Sequence, residues 1–219
     1  MKNSFLFVAY QFPPMGGPGV QRSYNFVKEL SNQGYSPVVL TIRESEIDAA
    51  NYQKDWSLID QIPKGIKIVR IDSGQNFTLV KRLMKWRVYR LFWYFFYPFF
   101  WEKMANWPFV AYKHAKKLVI ENNLDLVYTS SGPFSSLILG YLIKKRLKVK
   151  WVADLRDPYT DAYAWAFPSK IHWRVSRLCE KWILSKADQL IVNTPEVKKL
   201  FIKRNILPAS KINVITNGY

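Results

Sequence analysis

Apolar residues along this chain alternate between short continuous runs and longer stretches in which they recur at helical spacing. The first run, Ser4–Tyr10, predicts a buried strand, and a loop rich in Pro and Gly follows at Gln11–Gly19. Apolar residues in Val20–Gln33 recur at the period of a helix, which Gly34 is placed to end, and Pro37–Ile42 predicts a second strand. A strand, a helix and a strand within about forty residues predict a βαβ unit with two parallel strands.

The same alternation continues to the end of the chain. Continuous apolar runs predict five further strands, at Ile66–Ile71, Asp125–Thr129, Val149–Ala153, Asp188–Val192 and Ile212–Thr216. Helical spacing predicts four further helices, at Met104–Asn122, Pro133–Leu147, Ser169–Lys186 and Pro195–Arg204. Repeated strand–helix units predict the α/β class, here a doubly wound parallel sheet of the Rossmann-like type with helices on both faces. The pattern is least regular in residues 43–65 and 73–103.

Length and cysteine content favour one folded domain in a reducing compartment. The 219 residues are enough for one α/β core, so residues 1–219 are predicted to form a single domain. The only cysteine, Cys179, cannot form an intramolecular disulfide and favours a cytoplasmic location. No apolar run approaches the ~20 residues that span a bilayer, and Phe5–Tyr10 is too short for the core of a secretory signal. Because the last predicted strand almost reaches Tyr219, the chain is expected to be a fragment of a longer protein.

Basic residues strongly outnumber acidic ones, with 33 Lys and Arg against 16 Asp and Glu, and this balance favours an anionic partner. Nine of the basic residues and a single acid lie in Lys81–Lys117, and eleven aromatic residues fall within Trp86–Trp101. Aromatic rings flanked by cations are typical of segments that lie in the headgroup region of an anionic membrane. The predicted membrane contacts are Lys81, Arg82, Trp86, Arg87, Arg90 and Trp93. Alternatively, the rings pack against the domain's own helices and the cations face water.

Four polar loops are predicted at the carboxyl ends of the strands, the edge at which open parallel sheets bind ligands. The first loop contains Gly16 and Gly17, where the backbone could approach a phosphate closely, and it leads to Arg22 on the first turn of a helix. These three residues are therefore candidates for phosphate binding. The glycine spacing matches neither the dinucleotide fingerprint nor a P-loop, so a structural turn and an exposed arginine are the alternatives.

The next two loops carry hydroxyl and charged side chains. Ser130 and Ser131 belong to a stretch of small hydroxyl residues before a helix, where they could bind a polar ligand or cap the helix. Asp154, Arg156 and Asp157 follow the fifth predicted strand. A carboxylate there could accept a hydrogen bond from a hydroxyl or act as a base. Alternatively, the acids and the arginine form an ion pair that only stabilises the loop.

The fourth loop contains Thr194, which precedes Pro195 and is placed to cap the last helix or to contact a ligand. Motifs of metal and acyl-transfer chemistry are absent from the sequence, which has no D-x-D, H-E-x-x-H, C-x-x-C or G-x-S-x-G. His114 and His172 lie among basic or aromatic helix residues and are not expected to be catalytic. No metal site is therefore predicted.

Taken together, these motifs resemble glycosyltransferase family 4, a group of retaining transferases with the two-domain GT-B fold. The resemblance begins with the Pro pair and the glycines of Phe12–Arg22 and continues with SSGP at Ser130–Pro133 and VADLRDP at Val152–Pro158. VNTP at Val192–Pro195 and VITNGY at Val214–Tyr219 complete the set in the family's order and approximate spacing. The resemblance covers nearly the whole chain.

The resemblance implies that residues 1–219 are the N-terminal, acceptor-binding half of a GT-B enzyme, whose donor-binding C-terminal domain is absent from this chain. Such an enzyme transfers a sugar from a sugar nucleotide to a saccharide or lipid-linked acceptor without metal or cofactor, here in cell-surface polysaccharide synthesis at the inner face of the membrane. The isolated half is expected to be inactive. The implied site places Gly16, Gly17 and Arg22 at the donor phosphates, Ser130, Ser131, Arg156 and Thr194 at the acceptor, and Asp157, with Asp154 behind it, near the attacking hydroxyl.

Other classes of protein compete with this interpretation. A dinucleotide-dependent oxidoreductase needs the full glycine fingerprint and an acidic ribose ligand at the end of the second strand, and Thr41–Glu44 fits that pattern poorly. A nucleic-acid-binding module could use cations and stacking aromatics, but the sequence contains no such recognition motif, so no nucleic-acid partner is predicted. A regulatory protein that kept the half-fold without catalysis is a third possibility.

Overall fold

The computed structural model describes residues 3–75, 82–83, 85–86, 94–95, 104, 106–162, 167 and 169–217. The strands in these residues are β1 Ser4–Ala9, β2 Ser36–Ile42, β3 Lys67–Ile71, β4 Leu126–Ser130, β5 Lys150–Leu155, β6 Gln189–Val192 and β7 Ile212–Val214. The helices are α1 Pro18–Asn32, α2 Glu44–Ala49, α3 Ser57–Asp60, α4 Trp107–Glu121, α5 Ser135–Leu147, α6 Lys170–Leu184 and α7 Pro195–Lys203. The strands form one sheet in the order β3-β2-β1-β4-β5-β6-β7, and every neighbouring pair is parallel. The predicted doubly wound, Rossmann-like sheet is confirmed.

The side chains of β1 pack against helices on both faces of the sheet, as expected for a central strand of a parallel sheet. Leu6 and Val8 belong to a buried cluster that includes Trp107 of α4. Phe7 points to the other face and belongs to a second cluster with Val27 of α1. Each of these five side chains is at most 1% exposed. The continuous apolar run in the sequence therefore reflects burial on both sides.

The order of the strands reverses beside β1. The chain passes from β1 to β2 and β3 on one side, and β4 to β7 then extend the sheet on the other side. The helices that follow β1 and β4 therefore diverge, and such a point opens a crevice at the carboxyl ends of the strands. Ala9 pairs with Ser130, and Ser130 pairs with Asp154, so three strand ends that carry candidate residues lie side by side.

Strands β4 and β5 extend further than the sequence pattern predicts. Ser130 and Asp154 were expected in loops, because the apolar runs stop at Thr129 and Ala153, but both residues belong to the strands. Ser130 and Asp154 are nevertheless buried and hydrogen-bonded, so the ladder continues through them. The polar residue that follows each predicted run is therefore part of the strand.

The helices differ from the predictions at their ends and in one irregular region. The short helices α2 and α3 lie in residues 43–65, where six and four residues are too few to show a helical period. Helix α4 begins at Trp107 rather than Met104, because Pro108 suits the first turn of a helix. Helix α5 begins at Ser135 rather than Pro133, and no side chain caps it. Gly34, with φ of 84°, follows α1 as predicted.

The aromatic segment predicted to contact a membrane falls mainly outside the described residues. Of its predicted contacts, Lys81, Arg87, Arg90 and Trp93 lie outside them, whereas Arg82 and Trp86 are described and exposed. None of the described helices combines the length and the apolar character that crossing a lipid bilayer requires.

Candidate functional site

Arg156 joins three loops at the carboxyl edge of the sheet. Its guanidinium donates from Nη1 to the carbonyl oxygen of Gly19 at 2.6 Å and from Nη2 to Oε1 of Gln11 at 2.9 Å. Its Nε donates to the carbonyl oxygen of Ser131 at 2.9 Å, and its own backbone amide donates to the Ser131 hydroxyl at 3.0 Å. The loops after β1, β4 and β5 are therefore bound to one another. The glycine turn and the acidic turn lie on the same rim.

Two glycines leave room for the Arg156 side chain. A Cβ atom at Gly19 would overlap both the Arg156 guanidinium and the side chain of Gln11. A Cβ atom at Gly132 would overlap the same guanidinium, and Gly132 also has φ of +99°, which disfavours other residues. The sequence motifs contain both glycines, but neither their roles nor the contribution of Gln11 could be predicted from them. The contacts join residues 137 and 145 positions apart.

Arg22 and Asp154 form a buried ion pair beneath this rim. The Arg22 side chain reaches from α1 to β5 and donates from Nη2 to Oδ1 of Asp154 at 2.7 Å and from Nε to Oδ2 at 3.0 Å. Its Nη1 donates to the carbonyl oxygen of Ile215 at 3.0 Å and to Oδ1 of Asn217 at 2.9 Å. The side chains of the pair are only 3% and 1% exposed. In this structure, Arg22 therefore binds Asp154 and the segment after β7, rather than lying exposed.

The electrostatics of this pair favour the charged form of Arg22. Burial by itself lowers the pKa of Arg22, but the hydrogen bond and the negative charge of Asp154 outweigh burial, so the pKa lies above its usual value. Burial and the Asp154 charge raise the pKa of the neighbouring Tyr128 well above its usual value, so this phenol stays neutral. The Ser130 hydroxyl also donates a hydrogen bond to Oδ2 of Asp154 at 3.3 Å. The arrangement suits Asp154 to hold loops in place more than to contact a substrate.

Asp157 has a different environment from Asp154. Its side chain is exposed and makes no hydrogen bond or ion pair with another described residue. Asp157 lines a cavity of about 60 Å³ at the rim, together with Ser131, Gly132, Phe134, Leu155, Arg156 and Tyr159. Burial lowers the pKa of Arg156, and the charges of Asp154 and Asp157 act in the opposite direction. Asp157 is therefore an exposed carboxylate of the acidic turn, whereas Asp154 is buried.

The glycine turn offers different amides from those expected. The Gly16 amide donates to the carbonyl oxygen of Gln53 at 2.8 Å and so is already bound. The amides of Gly17 and Gly19 have no acceptor among the described residues. Because these two amides lie at the N-terminus of α1, they are donors of the kind that bind anions at helix ends. Gly19 thus replaces Gly16 as a candidate whose backbone amide could donate a hydrogen bond to a phosphate.

The residues predicted to bind the acceptor all bind other parts of the chain in this structure. Thr194 caps α7, since its Oγ1 accepts a hydrogen bond from the Val197 amide at 3.2 Å. Ser130, Ser131 and Arg156 belong to the hydrogen bonds that join the loops. Capping and loop stabilisation, the alternatives left open by the sequence, therefore describe the observed contacts. Among the described residues, no three His, Cys, Asp or Glu side chains gather as a metal site.

Solved structures with the same fold include transferases and an epimerase. A glycosyltransferase from Rickettsia africae is 15% identical, with a TM-score of 0.53, and the match covers 98% of this chain and 43% of that one. A UGT transferase from Siraitia grosvenorii, solved in complex with UDP, is 13% identical, with a TM-score of 0.53 and coverages of 98% and 50%. A UDP-N-acetylglucosamine 2-epimerase is 14% identical, with a TM-score of 0.52 and coverages of 100% and 52%. These similarities show the fold alone.

The chain spans about half the length of the solved structures it matches, and its Rossmann-like fold is that of one half of a GT-B architecture. No curated protein sequence matches the chain. The sequence model of Glycosyltransferase Family 4 matches residues 19–219, which begin at Gly19 of the glycine turn and include the acidic turn and the segment after β7. The chain therefore belongs to glycosyltransferase family 4.

Proposed function

We propose that this chain is the acceptor-binding lobe of a two-lobed enzyme. The enzyme transfers a sugar from a sugar nucleotide to a saccharide or lipid-linked acceptor. The observation that carries the proposal is the rim on which Arg156 holds the turn containing Gly17 and Gly19 beside the turn containing Asp157. One turn supplies amide donors for a diphosphate, and the other supplies a carboxylate for a hydroxyl. The rim therefore carries one group for the departing diphosphate and one group for the acceptor hydroxyl.

The proposed reaction uses these groups without an enzyme nucleophile. The acceptor oxygen forms a bond to the anomeric carbon while the bond from that carbon to the diphosphate oxygen breaks on the same face. The acceptor proton passes to the departing diphosphate. Asp157 accepts a hydrogen bond from the acceptor hydroxyl and orients it for attack. The amides of Gly17 and Gly19 stabilise the charge that develops on the diphosphate. Configuration at the anomeric carbon is retained, and no metal ion is required.

A second lobe is needed to bring the donor to this rim. The chain covers about half of each two-lobed structure that it matches, and one of those structures was solved with UDP. By similarity, the other half would hold the sugar nucleotide and close over the carboxyl edge. Arg22 binds both Asp154 and the segment at Ile215 and Asn217. The buried ion pair beneath the rim is therefore bonded to the segment that follows β7. Residues 1–219 are accordingly proposed to be one domain of the enzyme.

Synthesis of cell-surface polysaccharide at the cytoplasmic face of a membrane is the proposed setting. The excess of basic residues, 33 against 16 acidic ones, suits an enzyme that works on lipid-linked acceptors at an anionic surface. The exposed Arg82 and Trp86 belong to the segment predicted to make that contact.

Transfer of a labelled sugar by the full gene product, assayed beside residues 1–219, tests the proposal. A panel of UDP-linked sugars with lipid-linked saccharide acceptors serves as substrate, and binding of UDP is measured in parallel. We expect transfer by the full gene product, no loss of rate when a chelator is added, and no transfer by residues 1–219 alone. Absence of both UDP binding and transfer would overturn the transferase proposal. Loss of activity with the chelator would contradict metal independence, and transfer by residues 1–219 would contradict the two-lobed requirement.

A further inference from the structure

The outer face of α6 carries apolar and basic side chains together. Ile171, Leu178 and Trp182 are 70%, 69% and 51% exposed, and their spacing of seven and four residues places them on one stripe of the helix. The cations beside this stripe are Lys170, Arg174, Lys181 and, directly after the helix, Lys186, all of them exposed. The one acid of α6, Glu180, is fully buried and bonds to Thr160 and Arg204 instead. The exposed charge on this helix is therefore entirely positive.

At its C-terminal end, the stripe joins a basic cleft. The ring of Trp182 meets the ring of Tyr141 edge-on at 4.7 Å, and Nζ of Lys145 lies 5.8 Å from the Tyr141 ring. Tyr141 lines a cleft of about 580 Å³, here called the lysine cleft, whose lysines are Lys144, Lys145, Lys148, Lys150, Lys186 and Lys211. Its one acid, Asp188, is already paired with Lys144 at 2.6 Å. The cleft is thus a concentrated cationic surface.

At its N-terminal end, the stripe meets the aromatic segment. His172 Nε2 lies 2.8 Å from the carbonyl oxygen of Tyr94, and the two rings are 5.1 Å apart. Tyr94 and its neighbour Phe95 are both exposed. Two rings of the segment that the sequence assigns to a membrane therefore lie beside the start of α6. Apolar groups, aromatic rings and cations thus follow one another along a single helix.

We propose that α6 docks this protein on an anionic phospholipid bilayer. Ile171, Leu178 and Trp182 enter the headgroup region, Tyr94 and Phe95 lie at one end of the contact, and the lysine cleft binds lipid phosphates at the other. This inference rests on the proposed attachment to membranes and names the surface that makes it. The contact differs from the one predicted from the sequence, which placed attachment in Lys81–Lys117 alone. The 15 residues of α6 span about 22 Å, a length suited to lying flat on a membrane.

Charge and position distinguish a bilayer from other occupants. A second copy meeting this face symmetrically would set lysines against lysines, which repel. A nucleic acid would suit the cations and the rings, but it would leave Ile171 and Leu178, the most exposed apolar side chains of the stripe, without an apolar partner. The partner lobe is proposed to close over the carboxyl edge, whereas Lys150, Lys186 and Lys211 lie where β5, β6 and β7 begin. An anionic membrane accommodates the apolar side chains and the positive charge together.

Sedimentation with lipid vesicles tests the α6 surface directly. The vesicles are phosphatidylcholine with about 30 mol% phosphatidylglycerol, compared with phosphatidylcholine alone at low salt and at about 0.5 M salt. We expect the chain to bind the anionic vesicles at low salt and to be released as salt rises. The double variant I171E/L178E is expected to partition about tenfold more weakly or worse. Its matched control is I120E/I202E on α4 and α7, where the two side chains are 60% and 37% exposed and lie outside Lys81–Lys117. This variant should stay within about twofold of the original chain.

A second pair of variants tests the charges separately. K145Q/K186Q/K211Q removes three cations of the lysine cleft and should weaken binding about tenfold or more. K64Q/K199Q/K203Q removes the same charge from exposed positions outside both the cleft and Lys81–Lys117, and should weaken binding less. Circular dichroism confirms that each variant is folded.

Three outcomes would overturn the inference. Equal losses for the control variants and for the α6 and lysine-cleft variants, with the original chain binding well, would overturn the α6 assignment while leaving membrane attachment intact. No vesicle binding by the original chain at low salt would overturn the attachment itself. If I171E/L178E abolished self-association and left vesicle binding unchanged, a second copy would be the occupant. None of these readouts depends on sugar transfer, so failure of the proposed reaction is distinguishable from failure of this inference.

Discussion

Replacement of Arg22 by methionine is expected to destabilise the folded chain by about 3–5 kcal/mol, because it leaves the Asp154 carboxylate buried without its partner. Asp154 is 0% exposed, so water cannot replace the guanidinium. The same change removes the hydrogen bonds from Arg22 to Ile215 and Asn217, which adds to the loss. The measurement is the free energy of unfolding from urea denaturation followed by circular dichroism.

Two further variants separate the buried charge from other effects of the Arg22 substitution. R43M removes the exposed partner of Asp72, in a pair whose side chains are 56% and 58% exposed, and should cost about 1 kcal/mol or less. The double variant R22M/D154L removes both buried charges and should recover much of the lost stability. A loss below about 1 kcal/mol for R22M alone would show that Asp154 finds another partner or is not charged.

Replacement of Asp157 by asparagine is expected to lower the rate of sugar transfer by the full gene product about 10²-fold, because the acceptor hydroxyl loses the group that orients it. Asp157 is exposed and has no hydrogen-bonded partner among the described residues, so the stability of the protein should change little. The affinity for UDP should also stay the same, because the proposed role of Asp157 is to orient the acceptor hydroxyl. Initial rates at saturating donor, together with calorimetric titration of UDP, measure both quantities.

Matched controls for Asp157 lie elsewhere in the chain. D125N makes the same change at an exposed position before β4, at the opposite edge of the sheet, and should leave the transfer rate unchanged. D154N should lower stability and rate together, because Asp154 supports the loops through Arg22 and Ser130. A D157N enzyme with full activity would remove Asp157 from the proposed site.

The sheet could be predicted from the sequence because its strands are continuous apolar runs buried on both faces. Ser4–Ala9 shows this most clearly, since its side chains pack on helices at both faces of the sheet. The five named helices of nine or more residues were predicted from their period, whereas α2 and α3 were too short to show one. The family resemblance predicted from the motifs is confirmed by the match to residues 19–219.

The details of the site depend on contacts that no local pattern encodes. Asp154 and Asp157 are three residues apart and chemically identical, but only Asp154 meets Arg22, which lies 132 positions away. In the same way, the Gly16 amide is bound by Gln53, a residue from the region whose pattern was least regular. Burial and pairing across distant loops decide which carboxylate and which amides are free, so the sequence predicted the turns but not the division of roles within them.

A crystal structure of the full gene product with UDP and an acceptor saccharide is the most direct measurement of the proposed site. We expect an oxygen of the diphosphate within about 3.5 Å of the Gly17 or Gly19 amide, and the acceptor hydroxyl within about 3.5 Å of the Asp157 carboxylate. A diphosphate bound far from the glycine turn, or an acceptor bound away from Asp157, would contradict the proposal that these two turns form one site.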